Sequence, residues 1–176
     1  MRKIFKILFN IVLWLMISVC LLLAFIFFVA KREADGTATV FGYQMRIVQS
    51  NSMEKSEETD VSEFEIRDIP VDSVIFIEVV PEENPEAWYE SLKVGDVLTF
   101  RYTYLQEEVL THRIVGISEK GGGMYEITLR GDNKNSDLNT LEQTISKEQI
   151  IGKVVGQSYA LGLLLGYLKY PSYGSP

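Results

Sequence analysis

The sequence predicts a mainly β protein, with an N-terminal transmembrane helix ahead of an antiparallel β-sheet domain. Three observations lead there. Ile7 to Ala30 is a run of 24 residues without a charge, interrupted only by Asn10 and Ser18. Downstream, short stretches rich in β-branched and aromatic residues alternate with glycine-containing turns, the mark of strands and hairpins. Nowhere in that remainder does the apolar pattern indicate a convincing soluble helix. Strands that follow one another without helices between them favour antiparallel pairing.

The first element is the anchor at 7–30, preceded by a short N-terminus at 1–6. At 1.5 Å per residue the run makes about 36 Å of helix, enough to cross a hydrocarbon core of about 30 Å with some tilt. A cleavable signal peptide has an apolar region of about 7–15 residues and a small-x-small cleavage site, so this longer run reads as a retained anchor. Arg2, Lys3 and Lys6 precede it, and Lys31 and Arg32 follow it. That slight bias favours a cytoplasmic N-terminus, with the domain on the extracytoplasmic side of the cell membrane.

A linker at 31–39 leads into a domain at 40–158, large enough for its own core. A formal net charge of −7 and the lack of a dense basic patch exclude nucleic acid as a partner. The single cysteine, Cys20, lies in the anchor, so packing rather than a disulfide stabilises the domain. One histidine and one membrane-buried cysteine make a poor metal set, and no Asp-x-Asp-x-Asp loop occurs. No metal or cofactor is expected.

Val40 to Gln49 reads as a strand that ends in Ser50-Asn51-Ser52-Met53-Glu54-Lys55. Residues 54–90 form an acidic insertion, with 13 acidic residues against two basic ones. It reads as a solvated, partly mobile loop around one buried strand, Ser73 to Val80. A Val94-Gly95-Asp96 turn opens a strand running through Arg101. Glu108 to Ser118 and Met124 to Arg130 flank a glycine-rich turn as a hairpin, and Gln149 to Gly156 adds a further strand. The C-terminal segment, 159–176, is apolar from Tyr159 to Tyr170 but too short to span a bilayer. It packs on the sheet, lies at the membrane surface or begins a second anchor.

The chemistry is concentrated in a few positions. Ser50 and Ser52 flank one polar residue at a strand end, which is a turn or a nucleophile site. Period-two alternation puts Leu110, His112 and Ile114 on one strand face, with Val109, Thr111, Arg113 and Val115 on the other. A lone His between Leu and Ile reads as a hydrogen-bonded core residue, or as an imidazole kept neutral to accept a proton near pH 7. A serine hydroxyl needs such a base within hydrogen-bond reach. Arg130-Gly131-Asp132-Asn133 reads as a turn whose side chains cap their own backbone, or as the source of an aspartate that orients the imidazole. Lys55 and Lys134 lie in polar segments and lack the burial that a lysine base requires, so His112 is preferred.

Together these stretches resemble a family. Ser-Asn-Ser-Met-Glu after an anchor resembles the Ser-Gly-Ser-Met-Glu-Pro box of type I signal peptidases. Val-Gly-Asp-Val-Leu-Thr-Phe is similar to their Gly-Asp-hydrophobic strand. Thr111-His112-Arg113-Ile114 resembles the His-Arg box of the endoplasmic-reticulum-type branch, found also in archaea and some Gram-positive bacteria, and Gly131-Asp132-Asn133 the last box. The boxes run in the family's order, and with the anchor they span residues 7 to about 156. The resemblance implies a β-sheet catalytic domain in which Ser52 is the nucleophile and His112 the general base. It implies Asp137 as the orienting carboxylate with Asp132 as its rival, and an oxyanion hole from the Ser50 hydroxyl and the Ser52 N–H. The implied partners are preproteins with signal peptides, cut after small residues, and membrane lipid, with room for accessory subunits. Asn51 stands where the family has glycine, and Lys55 where it has proline. Asn best tolerates a left-handed turn, whereas Lys55 removes a rigid corner at the start of the insertion.

Two other readings compete with a signal peptidase: a catalytically silent, membrane-tethered β module that binds export or surface-assembly partners, and a self-cleaving serine–lysine protease.

Overall fold

In the computed structural model, which describes residues 2–33, 36–57, 59–102, 108–119, 125–134 and 142–169, the chain forms two compact units, 1–41 and 42–176. In the first, α1 (Arg2–Val29) is 28 residues long, about 42 Å. It is long and apolar enough to cross a membrane, with a mean hydropathy of 3.0 over its most apolar window. The helix begins before the apolar run because arginine and lysine are themselves good helix formers. The expected linker carries two short antiparallel strands, β1 (Lys31–Arg32) and β2 (Ala38–Val40).

Among the described residues, the second unit holds seven strands. They are β3 (Tyr43–Ile47), β4 (Val74–Val79), β5 (Val97–Tyr102), β6 (Glu108–Glu119), β7 (Tyr125–Arg130), β8 (Gln143–Ile145) and β9 (Ile150–Ser158). Their order is β3-β4-β9-β5-β6-β7-β8, and every described pairing is antiparallel. The mainly β, antiparallel expectation therefore holds. Strand β9, last in sequence, inserts between β4 and β5 and closes the middle of the sheet.

Two apolar clusters fill this unit. One gathers Leu98, Phe100, Ile114, Leu129, Ile145 and Ile150. The other gathers Met53, Ile69, Ile75, Ile77, Val97 and Val154. Each fully buried Leu, Ile or Phe side chain contributes about 1.5–3 kcal/mol. The second cluster changes the reading of the acidic insertion. Met53 just before it, and Val61 and Ile69 within it, are buried, so this segment packs on the sheet, while Glu57, Asp60, Glu63 and Glu65 stay exposed. Its charge count concealed those widely spaced apolar anchors.

Two helices also depart from the expected helix-free domain. Helix α2 (Pro85–Glu90) starts with proline at its first position, where the missing N–H costs nothing. Much of the apolar C-terminal segment forms helix α3 (Tyr159–Lys169). Gly162 approaches the Asp72 carbonyl so closely that a Cβ there would overlap it, which seats the helix start on the entry to β4. Leu163, Leu164, Tyr167 and Leu168 remain exposed.

Candidate active site

The serine loop is held largely by its backbone. Beyond β3, Val48 exchanges hydrogen bonds with the turn before β4: its N–H donates to Ser73 O at 2.9 Å, and Asp72 N–H donates to Val48 O at 2.9 Å. The chain then reverses, with Glu54 N–H donating to Asn51 O at 3.1 Å and Ile69 N–H to Met53 O at 3.0 Å. Met53 plugs into the core, while Ser50 stays exposed and Ser52 half-buried. The Ser50 hydroxyl donates to Ser52 Oγ at 3.2 Å.

Both departures from the family's serine box now have a physical account. Among the described residues, positive φ outside glycine occurs at Phe41, Asp72 and Asn84, and not at Asn51. The loop therefore does not demand glycine there. At Lys55 the backbone N–H donates to Asp68 Oδ1 at 2.8 Å, a bond that proline could not make.

The turn after β7 clamps this loop. Asn133 donates its backbone N–H to Ser52 O at 3.0 Å and its side-chain amide to Asn51 O at 3.0 Å. Ser56 Oγ donates to Asp132 O at 3.2 Å. The amide of Asn133 thus reaches a distant segment, beyond the local capping that the sequence suggested for such a turn.

Arg113 joins the pieces on one face of β6. Its guanidinium meets Asp132 through Nε–Oδ1 at 2.8 Å and Nη2–Oδ2 at 2.5 Å, and both side chains are 4% exposed. It also donates to Gly95 O at 2.8 Å and to Ile66 O at 2.7 Å, and its carbon lies 4.7 Å from the Phe64 ring centre. Glycine is required at 95, where φ is +100° and a Cβ would collide with the Phe64 ring. The Gly-Asp turn, the acidic segment, β6 and the Asp132 turn therefore meet on one cation.

His112 faces the first apolar cluster, 6.0 Å from the Phe100 ring and directly across from Leu98. It is 2% exposed, and its Nδ1 lies 2.6 Å from Gln143 Oε1. Burial pulls its pKa below the ordinary imidazole value; the Gln143 hydrogen bond and the nearby Asp132 charge oppose that pull. The ring is therefore neutral at physiological pH, the state in which it accepts a proton.

Of the sequence-selected residues, Ser50 and Ser52 are in contact, the Asp132 turn holds Ser52 through Asn133, and the charge of Asp132 acts on His112. Asp137 lies outside the described residues. Lys55 and Lys134 are exposed. Among the described residues, no group of three or more His, Cys, Asp or Glu is arranged to hold a metal. Sequence reasoning left Arg113 and Asn133 without roles and did not single out Gln143. The boxes contained the first two, but nothing local marks Gln143, whose part depends on the pairing of β8 with β7.

No protein-family model matches the chain. A stretch of 76 residues, 41% of the chain, is 33% identical to the signal peptidase complex catalytic subunit sec11 of Dictyostelium discoideum. The match covers 42% of that protein's length. It supports the signal peptidase family to which the serine, histidine and aspartate boxes pointed.

Proposed function

We propose that this chain is a membrane-anchored serine endopeptidase that removes signal peptides from exported preproteins. The observation that carries the reading is the clamp of Asn133 on the backbone of Ser52 and Asn51, beside an Asp132 whose charge reaches a buried, neutral His112. Similarity to a signal peptidase catalytic subunit supports the substrate class. The histidine, in place of a lysine, favours the endoplasmic-reticulum-type branch with its archaeal and Gram-positive members.

In this mechanism Ser52 Oγ attacks the scissile carbonyl while its proton passes to His112 Nε2. The oxyanion forms against the Ser52 N–H and the Ser50 hydroxyl, which turns from Ser52 Oγ toward the new charge. His112 then protonates the leaving amine, the peptide C–N bond breaks, and water hydrolyses the acyl-enzyme by the same route in reverse. Arg113 holds Asp132 in the site, and Asp137 is the further carboxylate that the resemblance assigns. The N-terminus is cytoplasmic and α1 anchors the domain on the other side of the membrane, where the cut follows small residues.

The test is incubation of detergent-solubilised protein with a signal-peptide-bearing preprotein, with mass spectrometry to locate the cut. Cleavage after a small-x-small triplet should fall by about 10⁶-fold in Ser52→Ala. Equal cleavage by both proteins would remove Ser52 as nucleophile. Failure of the folded wild type to cut a substrate that another signal peptidase processes would favour the silent binding module.

A further inference from the structure

We propose that Gln143 is the positioning residue of the histidine: its side-chain carbonyl accepts the Nδ1–H of His112 and leaves the lone pair on Nε2. An amide would then take the orienting role that the resemblance gave to Asp137 or Asp132; both oxygens of Asp132 are engaged by Arg113. This inference rests on the peptidase reading and assigns its base a partner.

The geometry is specific. Ile114, Leu129 and Gln143 stand in one lateral row across β6, β7 and β8, and His112 lies two residues from Ile114 on the same face. Gln143 is 5% exposed, so both members of the 2.6 Å contact are shielded from water. A neutral imidazole has one ring hydrogen, and the atom that carries it is set by the bond made at the other nitrogen. An amide oxygen at Nδ1 selects the tautomer that a base at Nε2 requires.

A neutral partner also suits the surroundings. Leu98 lies across from His112, and Phe100 and Leu129 join it in the same apolar region. Among the described residues, Asp132 is the charged group whose field reaches the ring, and Arg113, next to His112 on β6, pairs with it. A second buried carboxylate at position 143 would carry a large desolvation cost. An amide satisfies Nδ1 without that cost, but it stabilises the imidazolium less. The base should therefore stay unprotonated, and the enzyme active, to a lower pH than a carboxylate partner would allow.

His112 is the only histidine in the chain, so selective ¹⁵N labelling of histidine in the full-length protein in detergent yields one pair of imidazole resonances. At pH 8 the wild type should show hydrogen on Nδ1 and a bare Nε2. Gln143→Met should lose that preference and lower kcat/KM by about 10- to 100-fold, a share of what a general base contributes. Gln143→Glu, nearly the same shape, should keep the tautomer and move the acid limb of the kcat/KM profile upward by about one pH unit or more. A merely structural side chain would leave that limb in place. Hydrogen on Nε2 in the wild type, or an unchanged tautomer and acid limb in both variants, would overturn the proposal. Should Gln143→Met not fold, the wild-type tautomer and Gln143→Glu still decide it. The resonance measurement needs no substrate, so a preprotein left uncut would count against the peptidase reading alone.

Discussion

Ser52 and His112 are held in opposite ways. The serine loop is pinned through its backbone, by Asn133, Ile69 and the Val48 exchange with the turn before β4, and Ser50 and Asn51 are exposed. The histidine strand is pinned through side chains, with Arg113 on Asp132 and His112 on Gln143, each shielded from water. Backbone bonds are indifferent to most side chains, so the loop accepts asparagine for glycine, and lysine in place of proline adds the N–H bond to Asp68. Side-chain bonds in a buried strand are not. The departures from the serine box fall where the physics tolerates them, and the His-Arg pair stands where it does not.

The comparison breaks most visibly at Arg113. Truncation to methionine keeps much of the volume but strands the Asp132 carboxylate in the interior, and should destabilise the protein by about 3–5 kcal/mol in chemical denaturation. The same measurement on Arg113→Met with Asp132→Leu should recover most of that loss, because the cost lies in an unpaired buried charge. A single variant within about 0.5 kcal/mol of wild type would mean that the strand is no more side-chain-dependent than the loop.

On the serine side, Ser50→Ala sharpens the contrast from the other direction. The residue is exposed and its hydroxyl donates to the neighbouring Ser52 hydroxyl, so stability should change by no more than about 0.5 kcal/mol. Loss of an oxyanion donor should nevertheless lower kcat by about 10²–10³-fold with KM little altered. A large drop in stability with kcat preserved would make Ser50 a structural residue instead.

Legibility follows the same division. The strands containing Val97–Tyr102 and Glu108–Glu119 were plain in the sequence, because period-two alternation and glycine turns are local signals. Ser50, Ser52, His112 and Asp132 were found through short boxes. Helix α3 was missed because glycines at 162 and 166 weaken its local pattern, and packing on the entry to β4 was not foreseeable. The buried acidic segment was missed because charge dominates its composition while Met53, Val61 and Ile69 lie eight residues apart from one to the next. Gln143 was missed because its meeting with His112 spans three strands, and strand order is a property of the fold, not of any stretch of residues.

The smallest expected effect is a difference in pH dependence between the two sides. Burial lowers the pKa of His112 in the folded protein, while the unfolded chain offers an ordinary imidazole near about 6.5. Below that value the unfolded state binds more protons than the native one. Stability from this group is therefore fully present above about pH 6.5 and is lost as pH falls toward the lower, folded value. Unfolding free energy measured from pH 7 to pH 5 should decline in the wild type and decline less steeply in His112→Asn. Ser50→Ala introduces no titrating group and removes none, so its slope should match the wild type. Equal slopes in all three proteins would mean that His112 is solvated enough to protonate in place, and the burial that keeps it a neutral base would have to be abandoned. A shallower slope in His112→Asn alone would tie the neutrality of the base to the strand that buries it.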